Sequence, residues 1–235
     1  MYNILLGGAA GQGVDTTTAI LEKLLKRAGH HVLTVRDFMS RIRGGHNFSL
    51  LRFGPEAVTS HDQAVNAIIA LNEETFHVHQ ADLVPGGFLL CDGALAIDDP
   101  RAVKLDMAHQ AKALGNPKVA GSIAIGAILK MFGETLDGAV DVLGYFVKQD
   151  SIEINLKALK AGFDCVEQRY PRLPGDAPGD ILITGSKAMA LGALAAGLTF
   201  YSAYPMSPAT PVMESLAEMS GEAGIVVEQA EDEIA

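Results

Sequence analysis

Apolar residues recur along the first 165 positions in short blocks divided by turns, and the spacing within the blocks switches between strand-like and helix-like. Ile4-Leu5-Leu6 is a continuous apolar run of strand length that enters a glycine-rich turn, Gly7-Gly8-Ala9-Ala10-Gly11-Gln12-Gly13. Residues 16–28 carry apolar side chains at helical spacing, and Gly29 stands where a helix C-cap belongs. His31-Val32-Leu33-Thr34-Val35, rich in β-branched residues, predicts a second strand. A strand–helix–strand unit of this length predicts parallel pairing of its two strands. Further apolar runs at 47–53, 64–71, 87–91 and 102–106 and a helical stretch at 122–132 extend the alternation. Residues 152–161 read as a last helix, with Ile152, Leu156 and Leu159 on one face, and Gly162 is expected to end it. The pattern is that of one α/β layer domain over residues 1–165.

From Tyr170 to Asp180 three prolines and two glycines exclude a helix or a central strand, so residues 166–180 are expected to form a linker. A second α/β pattern follows over 181–235: strand 181–184, helix 187–196, strand 198–201, a helix near 208–219 and strand 225–227. The acidic run Glu231-Asp232-Glu233 then has the character of a helix start. Three strands and two helices would leave sheet edges and one face uncovered, so this unit is expected to be the incomplete start of a domain that needs a continuation or a partner.

Composition narrows the chemistry. No stretch approaches the roughly 20 apolar residues that span a bilayer, and the first residues lack a basic leader with a small-residue cleavage site, which favours a cytoplasmic protein without membrane attachment. Cys91 and Cys165 lie far apart without CxxC spacing, so no disulfide framework, zinc site or iron–sulfur site can be built from them. A net charge of −10 disfavours nucleic acid as a partner. The local basic stripe Arg36, Arg41, Arg43 and Arg52 suits a small anionic ligand or a partner subunit.

Two segments carry candidate chemistry. Gly8, Gly11 and Gly13 give a G-x-x-G-x-G turn whose backbone N–H groups, with the helix that follows, can cradle an anion. It departs from the dinucleotide fingerprint, because Thr16 stands three residues after Gly13, although Asp37 follows the second strand where a ribose-binding acid would lie. A nucleotide site and a tight structural turn both remain open. The second segment, Arg41-Ile42-Arg43-Gly44-Gly45-His46-Asn47, sets glycines between cationic and polar groups just before a strand and suits close approach of a ligand or a backbone. His46 by itself fits a structural role better than a catalytic one.

Together these segments resemble the gamma domain of the 2-oxoacid:ferredoxin oxidoreductases, whose members open with G-G-x-G-G-Q-G-like loops and carry a later R-G-G segment. The stretch Glu153-Ile154-Asn155-Leu156-Lys157-Ala158, before Gly162, is similar to the family's closing E-x-N-x-x-A pattern. Beyond the linker, residues 188–197 and Tyr204-Pro205-Met206-Ser207-Pro208 resemble the opening of the family's alpha region, where the pattern ends Y-P-I-T-P-S. Ser186-Lys187 replaces Asn-Glu, and Met206-Ser207 replaces Ile-Thr with the hydroxyl kept. Gln229 to Ala235 is similar to the family's Q-x-E-D-E-I-A segment.

The resemblance implies a fold and a chemistry. The expected fold is α/β, a parallel-sheet gamma domain followed by the incomplete start of a thiamine-diphosphate-binding α/β domain. The expected reaction is oxidative decarboxylation of a 2-oxoacid to an acyl-coenzyme A with electrons passed to ferredoxin, this chain being inactive alone. Thiamine diphosphate and coenzyme A are the implied cofactors, with magnesium and an iron–sulfur cluster on a beta subunit, which also links to ferredoxin in an oligomeric assembly. Glu233 is implied to meet the aminopyrimidine ring, in preference to the neighbouring Glu231. A carboxylate there promotes the imino tautomer that removes the thiazolium proton. Ser207 is implied to contact substrate; read locally, it is equally an N-cap before a helix beginning at Pro208. Pro205, Gly8, Gly11, Gly13, Arg43, Gly44 and Gly45 complete the expected cofactor-binding set. Cys91-Asp92-Gly93 with Asn116 only loosely imitates a G-D-G…N metal–diphosphate motif, and it is rejected. Gamma-before-alpha order tilts the expected substrate towards 2-oxoglutarate over pyruvate. A dinucleotide-binding domain and a purely structural assembly module are the competing readings.

Overall fold

The computed structural model describes residues 1–39, 44–176, 179 and 181–234, and the chain divides into two compact units, Met1–Asp180 and Ile181–Ala235. The first unit runs β1 (Tyr2–Ala10), α1 (Val14–Arg27), β2 (His31–Phe38), β3 (Gly44–Gly54), β4 (Val65–Ala70), α2 (Glu73–His79), β5 (Leu83–Asp92), β6 (Ala102–Leu105), α3 (Met107–Ala113), α4 (Ala120–Met131), α5 (Ala139–Phe146) and α6 (Ile152–Asp164). Its strands form one sheet in the order β2-β3-β1-β4-β5-β6. The pairs β1–β4, β4–β5 and β5–β6 are parallel, whereas β3 runs antiparallel to both neighbours.

The expected strand–helix–strand unit is therefore split. β1 and β2 point the same way, but β3 lies between them and takes the hydrogen bonds of both. Chain length explains the insertion, since only residues 39–43 separate β2 from β3. So short a connection suits antiparallel neighbours and is too short for a parallel crossover.

The continuous apolar run at the start of β1 is explained by burial on both sheet faces. Ile4 and Leu6 face a core shared with α1, α4, α5 and α6, while Leu5 faces a second cluster with Ile68, Leu89 and Phe76 of α2. α1 ends as the pattern predicts: Gly29 N–H donates to Lys26 C=O and His30 N–H to Leu25 C=O, closing the turn after Arg27.

Gly162 does not end the last helix; it lies inside α6. A Cβ there would sit 1.9 Å from the carbonyl oxygen of Ile123 in α4, and a Cβ on Gly126 of α4 would sit 1.9 Å from that of Leu159. The two glycines are the notches through which these helices cross. The stretch after α6, expected as a linker, packs on the first unit over part of its length. Arg169 and Tyr170 N–H both donate to Met131 C=O, and the Tyr170 ring stacks on Phe132 at 5.0 Å. Arg172 reaches Glu134, whose carboxylate also meets His30 at 2.8 Å in full burial.

The second unit contains α7 (Gly185–Ala195), β7 (Phe200–Ala203), α8 (Thr210–Ala223) and β8 (Val226–Gln229), with β7 and β8 pairing in parallel. Three expectations fail here. Residues 181–184 form no strand, because no neighbour offers them a ladder, and Ile181 is 74% exposed. Ser207 is not an N-cap, since α8 begins at Thr210 after Ala209 and takes Pro211 in its first turn. Residues 231–233 form bends and open no helix; Asp232 instead accepts the Ile234 N–H. Among the described residues no helix is long and apolar enough to cross a membrane.

Candidate functional site

The first unit carries a cleft of about 770 Å³ at the carboxyl ends of β1, β4 and β5. Connections leave β1 and β4 in opposite directions there, the arrangement that opens a crevice in doubly wound sheets. The β1–α1 turn forms one wall. Gly11 and Gly13 adopt φ of +89° and +83°; a Cβ on Gly11 would meet nothing, and one on Gly13 only Thr17 Oγ1 at 3.9 Å, so glycine is needed there for backbone conformation and not for space. α1 has no side-chain cap, so the N–H groups of its first turn face the turn region unclaimed by a side chain.

The opposite wall comes from the start of α4 and from α6. Thr17 and Gly121 are in van der Waals contact range, which draws the first turns of α1 and α4 together. Ser122 Oγ donates to Asn155 Oδ1 at 2.6 Å, and Asn155 Nδ2 donates to Ser151 C=O at 2.8 Å. Ser122 and Asn155 are buried and line the cleft with Lys118 and Asn116. This Ser–Asn pair had no reading in the sequence beyond the position of Asn155 in a closing pattern. Its signal is a contact between helices 33 residues apart, invisible to local spacing.

Asp92 and Asn116 also line this cleft, where backbone hydrogen bonds hold their side chains. The Asp92 oxygens accept from Ala94 and Ala108 N–H, and Asn116 Oδ1 accepts from Lys118 N–H. Among the described residues no group of three or more His, Cys, Asp or Glu could hold a metal ion.

Other sequence candidates are distributed differently. Gly8 lies within β1, and a Cβ there would press on Gln12, Leu71 and Val14. Gly44 pairs with Ala10 across β1 and β3, so Gly44 and Gly45 flank the turn. Arg43 and Arg41 fall outside the described residues. The basic stripe does not form from the other two members: Arg36 pairs with Glu22 on the α1 face, while Arg52 follows Phe48 and Leu50 on the opposite face and approaches Asp62. Asp37 sits on β2, two strand spacings from β1 because β3 intervenes, which removes it from a dinucleotide ribose position.

In the second unit Pro205 and Ser207 follow β7, and Glu231 and Glu233 follow β8. The strands are parallel with Ala203 opposite Gln229, so all four residues leave from the same end of the pair. Ala230 N–H donates to Ala203 C=O, which holds the two exits side by side. Ser207, Glu231 and Glu233 are exposed.

Residues 3–165 match the model of the pyruvate ferredoxin/flavodoxin oxidoreductase family. The chain belongs to that family. Residues 191–235 match the family's thiamine diphosphate-binding domain. Curated relatives of this chain include 2-oxoacid:ferredoxin oxidoreductase alpha subunits from a Sulfolobus species and from Aeropyrum pernix. Each is 24% identical, over 98% and 88% of this chain and 46% and 41% of the relative. The chain thus spans about half the length of the curated relatives it matches. Among solved structures, the 2-oxoglutarate:ferredoxin oxidoreductase from Magnetococcus marinus, with 2-oxoglutarate, coenzyme A and succinyl-CoA bound, superposes with a TM-score of 0.85 at 24% identity, covering 98% of this chain and 43% of the other. The keto/oxoacid ferredoxin oxidoreductase gamma subunit from Geobacter sulfurreducens superposes with a TM-score of 0.62 at 27% identity, covering 69% of this chain and 94% of that subunit. The mainly parallel α/β fold is common to these structures.

Proposed function

We propose that this chain supplies the gamma part and the opening of the alpha part of a 2-oxoacid:ferredoxin oxidoreductase. The reaction joins a 2-oxoacid anion and the thiol of coenzyme A to give an acyl-coenzyme A, carbon dioxide, one proton and two electrons, which two oxidised ferredoxins receive singly. The observation that carries this reading is the order of the two matches, gamma-type sequence over 3–165 and thiamine diphosphate-binding sequence over 191–235 on one polypeptide. Magnesium, the iron–sulfur cluster and the ferredoxin contact belong to a beta subunit, and the assembly works in the cytoplasm.

The donor set at the carboxyl ends of β7 and β8 fits thiamine diphosphate: an exposed carboxylate and an exposed hydroxyl leave the same sheet end. When bound, that cofactor supplies the nucleophilic carbon which attacks the 2-oxoacid. Glu233 would share a proton with the pyrimidine ring nitrogen, the chemistry that a carboxyl group supplies there. Glu231 stands beside it as a second polar contact, and Pro205 sets the backbone that brings Ser207 forward. Ser207 Oγ orients the substrate by a hydrogen bond. In the first unit the Gly11–Gly13 turn offers backbone N–H groups to an anionic portion of coenzyme A, with Lys118 across the cleft as a cation.

The test is reconstitution with a beta-type subunit and the remaining alpha sequence, followed by viologen reduction with pyruvate, 2-oxoglutarate, branched-chain and aryl oxoacids. Turnover that needs both a 2-oxoacid and coenzyme A is expected, with 2-oxoglutarate the preferred substrate. Titration with NAD separates the competing dinucleotide reading: binding of NAD in preference to coenzyme A would overturn the proposal.

A further inference from the structure

On the sheet face opposite the cleft, two histidines meet nitrogen to nitrogen. His79, the last residue of α2, is nearly buried, and its Nε2 lies 2.8 Å from Nε2 of His46 at the start of β3. Its Nδ1 lies 2.8 Å from Asp82 Oδ2, and the other Asp82 oxygen accepts from Gln63 Nε2. Phe48 packs against both rings, at 5.4 Å and 4.7 Å between centroids.

The hydrogens of this chain follow from its acceptor end. A carboxylate only accepts, so His79 Nδ1 carries hydrogen, and in the neutral ring His79 Nε2 is then a bare acceptor. His46 must donate from Nε2, which leaves His46 Nδ1 as a bare nitrogen, buried and without a partner. One added proton has to put hydrogen on that orphaned Nδ1 whichever ring carries the charge. A second proton sets two N–H groups head to head between two cations. Neutral rings are the state the geometry accommodates.

We propose that His46, His79 and Asp82 form an acid-released latch that fastens the start of β3, where Gly44 pairs with Ala10, to α2. Glycine-turn register depends on that pairing, because Ala10 leads directly into Gly11. Among the described residues the charged groups acting on His46 are His79 and Glu74 from α2 and Asp37 from β2, while Asp82 acts through His79. Burial first, and His79 second, lower the His46 pKa from its ordinary 6.5, against the opposing pull of Glu74 and Asp37. A base with a depressed folded pKa contributes its stability above its unfolded value and loses it as pH falls towards the folded value. The latch is therefore closed above pH 6.5 and loosens below it.

Histidine ring 15N shifts and amide exchange on the full chain test this between pH 7.5 and 5.5. The expected tautomers at the upper end are Nδ1–H on His79 and Nε2–H on His46. Protection of the amides at 45–48, corrected for intrinsic exchange, is expected to fall by about threefold or more over that range, with β4 and β5 unchanged. His46→Gln keeps an N–H donor for His79 without a titrating ring, and its protection is expected to stay flat. The opposite tautomers in the wild type, a flat wild-type profile, or a pH dependence retained in His46→Gln would each overturn the latch. If His46→Gln does not fold, the two wild-type measurements decide alone.

Discussion

The two units of this chain use the same alphabet of strand and helix, yet only one of them closes a core. In the first, the central strands of a six-stranded sheet are covered on both faces, and buried residues from β1, β3, β4 and β5 interlock with all six helices of the unit. In the second, two strands share a buried core of Ala190, Leu216 and Ile225, while Phe200 and Val226 stand side by side on the other face, each 57% exposed. Element content is thus a poor guide to independence; what matters is how many faces of a sheet find cover. Separating the units should expose this most strongly. Residues 1–176 are expected to unfold in one cooperative transition with dispersed amide spectra, whereas 181–235 alone is expected to show neither. A cooperative melt of the shorter piece would remove the distinction.

Within the closed unit, the α4–α6 crossing gives the next largest effect. Gly162→Val places branched carbons where a single Cβ is already 1.9 Å from a carbonyl oxygen, and the backbone of α4 cannot yield as a flexible side chain would. A loss of about 4 kcal/mol or more is expected from urea denaturation. A loss below about 1 kcal/mol would show that the helices are free to slide, and that this core is less tightly determined than the contrast requires.

The buried carboxylate of Glu134 ranks third. It joins His30 after α1 to Arg172 of the segment beyond α6, so it fastens a strap onto the unit. Glu134→Ala leaves His30 with neither ring nitrogen partnered, since His30 Nδ1 already has none. About 3 kcal/mol should be lost, with early exchange of the Arg169 and Tyr170 amides that bond to Met131. Normal protection of those amides would detach the strap from this carboxylate.

The same contrast marks what could be read from sequence. Strand 64–71 was legible because double-sided burial writes a continuous apolar run, strand 47–53 because buried and half-buried positions alternate along it, and the glycine turn because its conformation admits few other residues. The run 181–184 misled, since an apolar stretch becomes a strand only if another backbone answers it. Gly162 looked like a stop because one sequence shows a helix its own ends but not its neighbour's carbonyls. Placement of β3 between β1 and β2, the Ser122–Asn155 pair and the His46–His79 pair are long-range facts. At the sheet end of the second unit, by contrast, the candidate residues were found from motif alone, because parallel strands deliver whatever follows them to one place.

The smallest effect compares one device used in both units. Asn72 caps α2 by accepting the Thr75 N–H at 3.0 Å, and Thr184 caps α7 by accepting the Lys187 N–H at 3.2 Å. Either alanine substitution removes a capping hydrogen bond worth about 1 kcal/mol to its helix, and Asn72→Ala also removes the bond that Asn72 Oδ1 accepts from Thr75 Oγ1. The consequence should differ, because a cap contributes to global stability only where its helix unfolds with the rest. α2 packs Phe76 into the core beneath it, so Asn72→Ala is expected to lower the global unfolding free energy by about that 1 kcal/mol. α7 buries only Ala190, so Thr184→Ala is expected to speed exchange along residues 185–191 several-fold and leave every amide of the first unit as it was. Equal shifts in the global transition for both variants would mean that the two units unfold as one, and the distinction between a closed and an open core would then have no thermodynamic meaning.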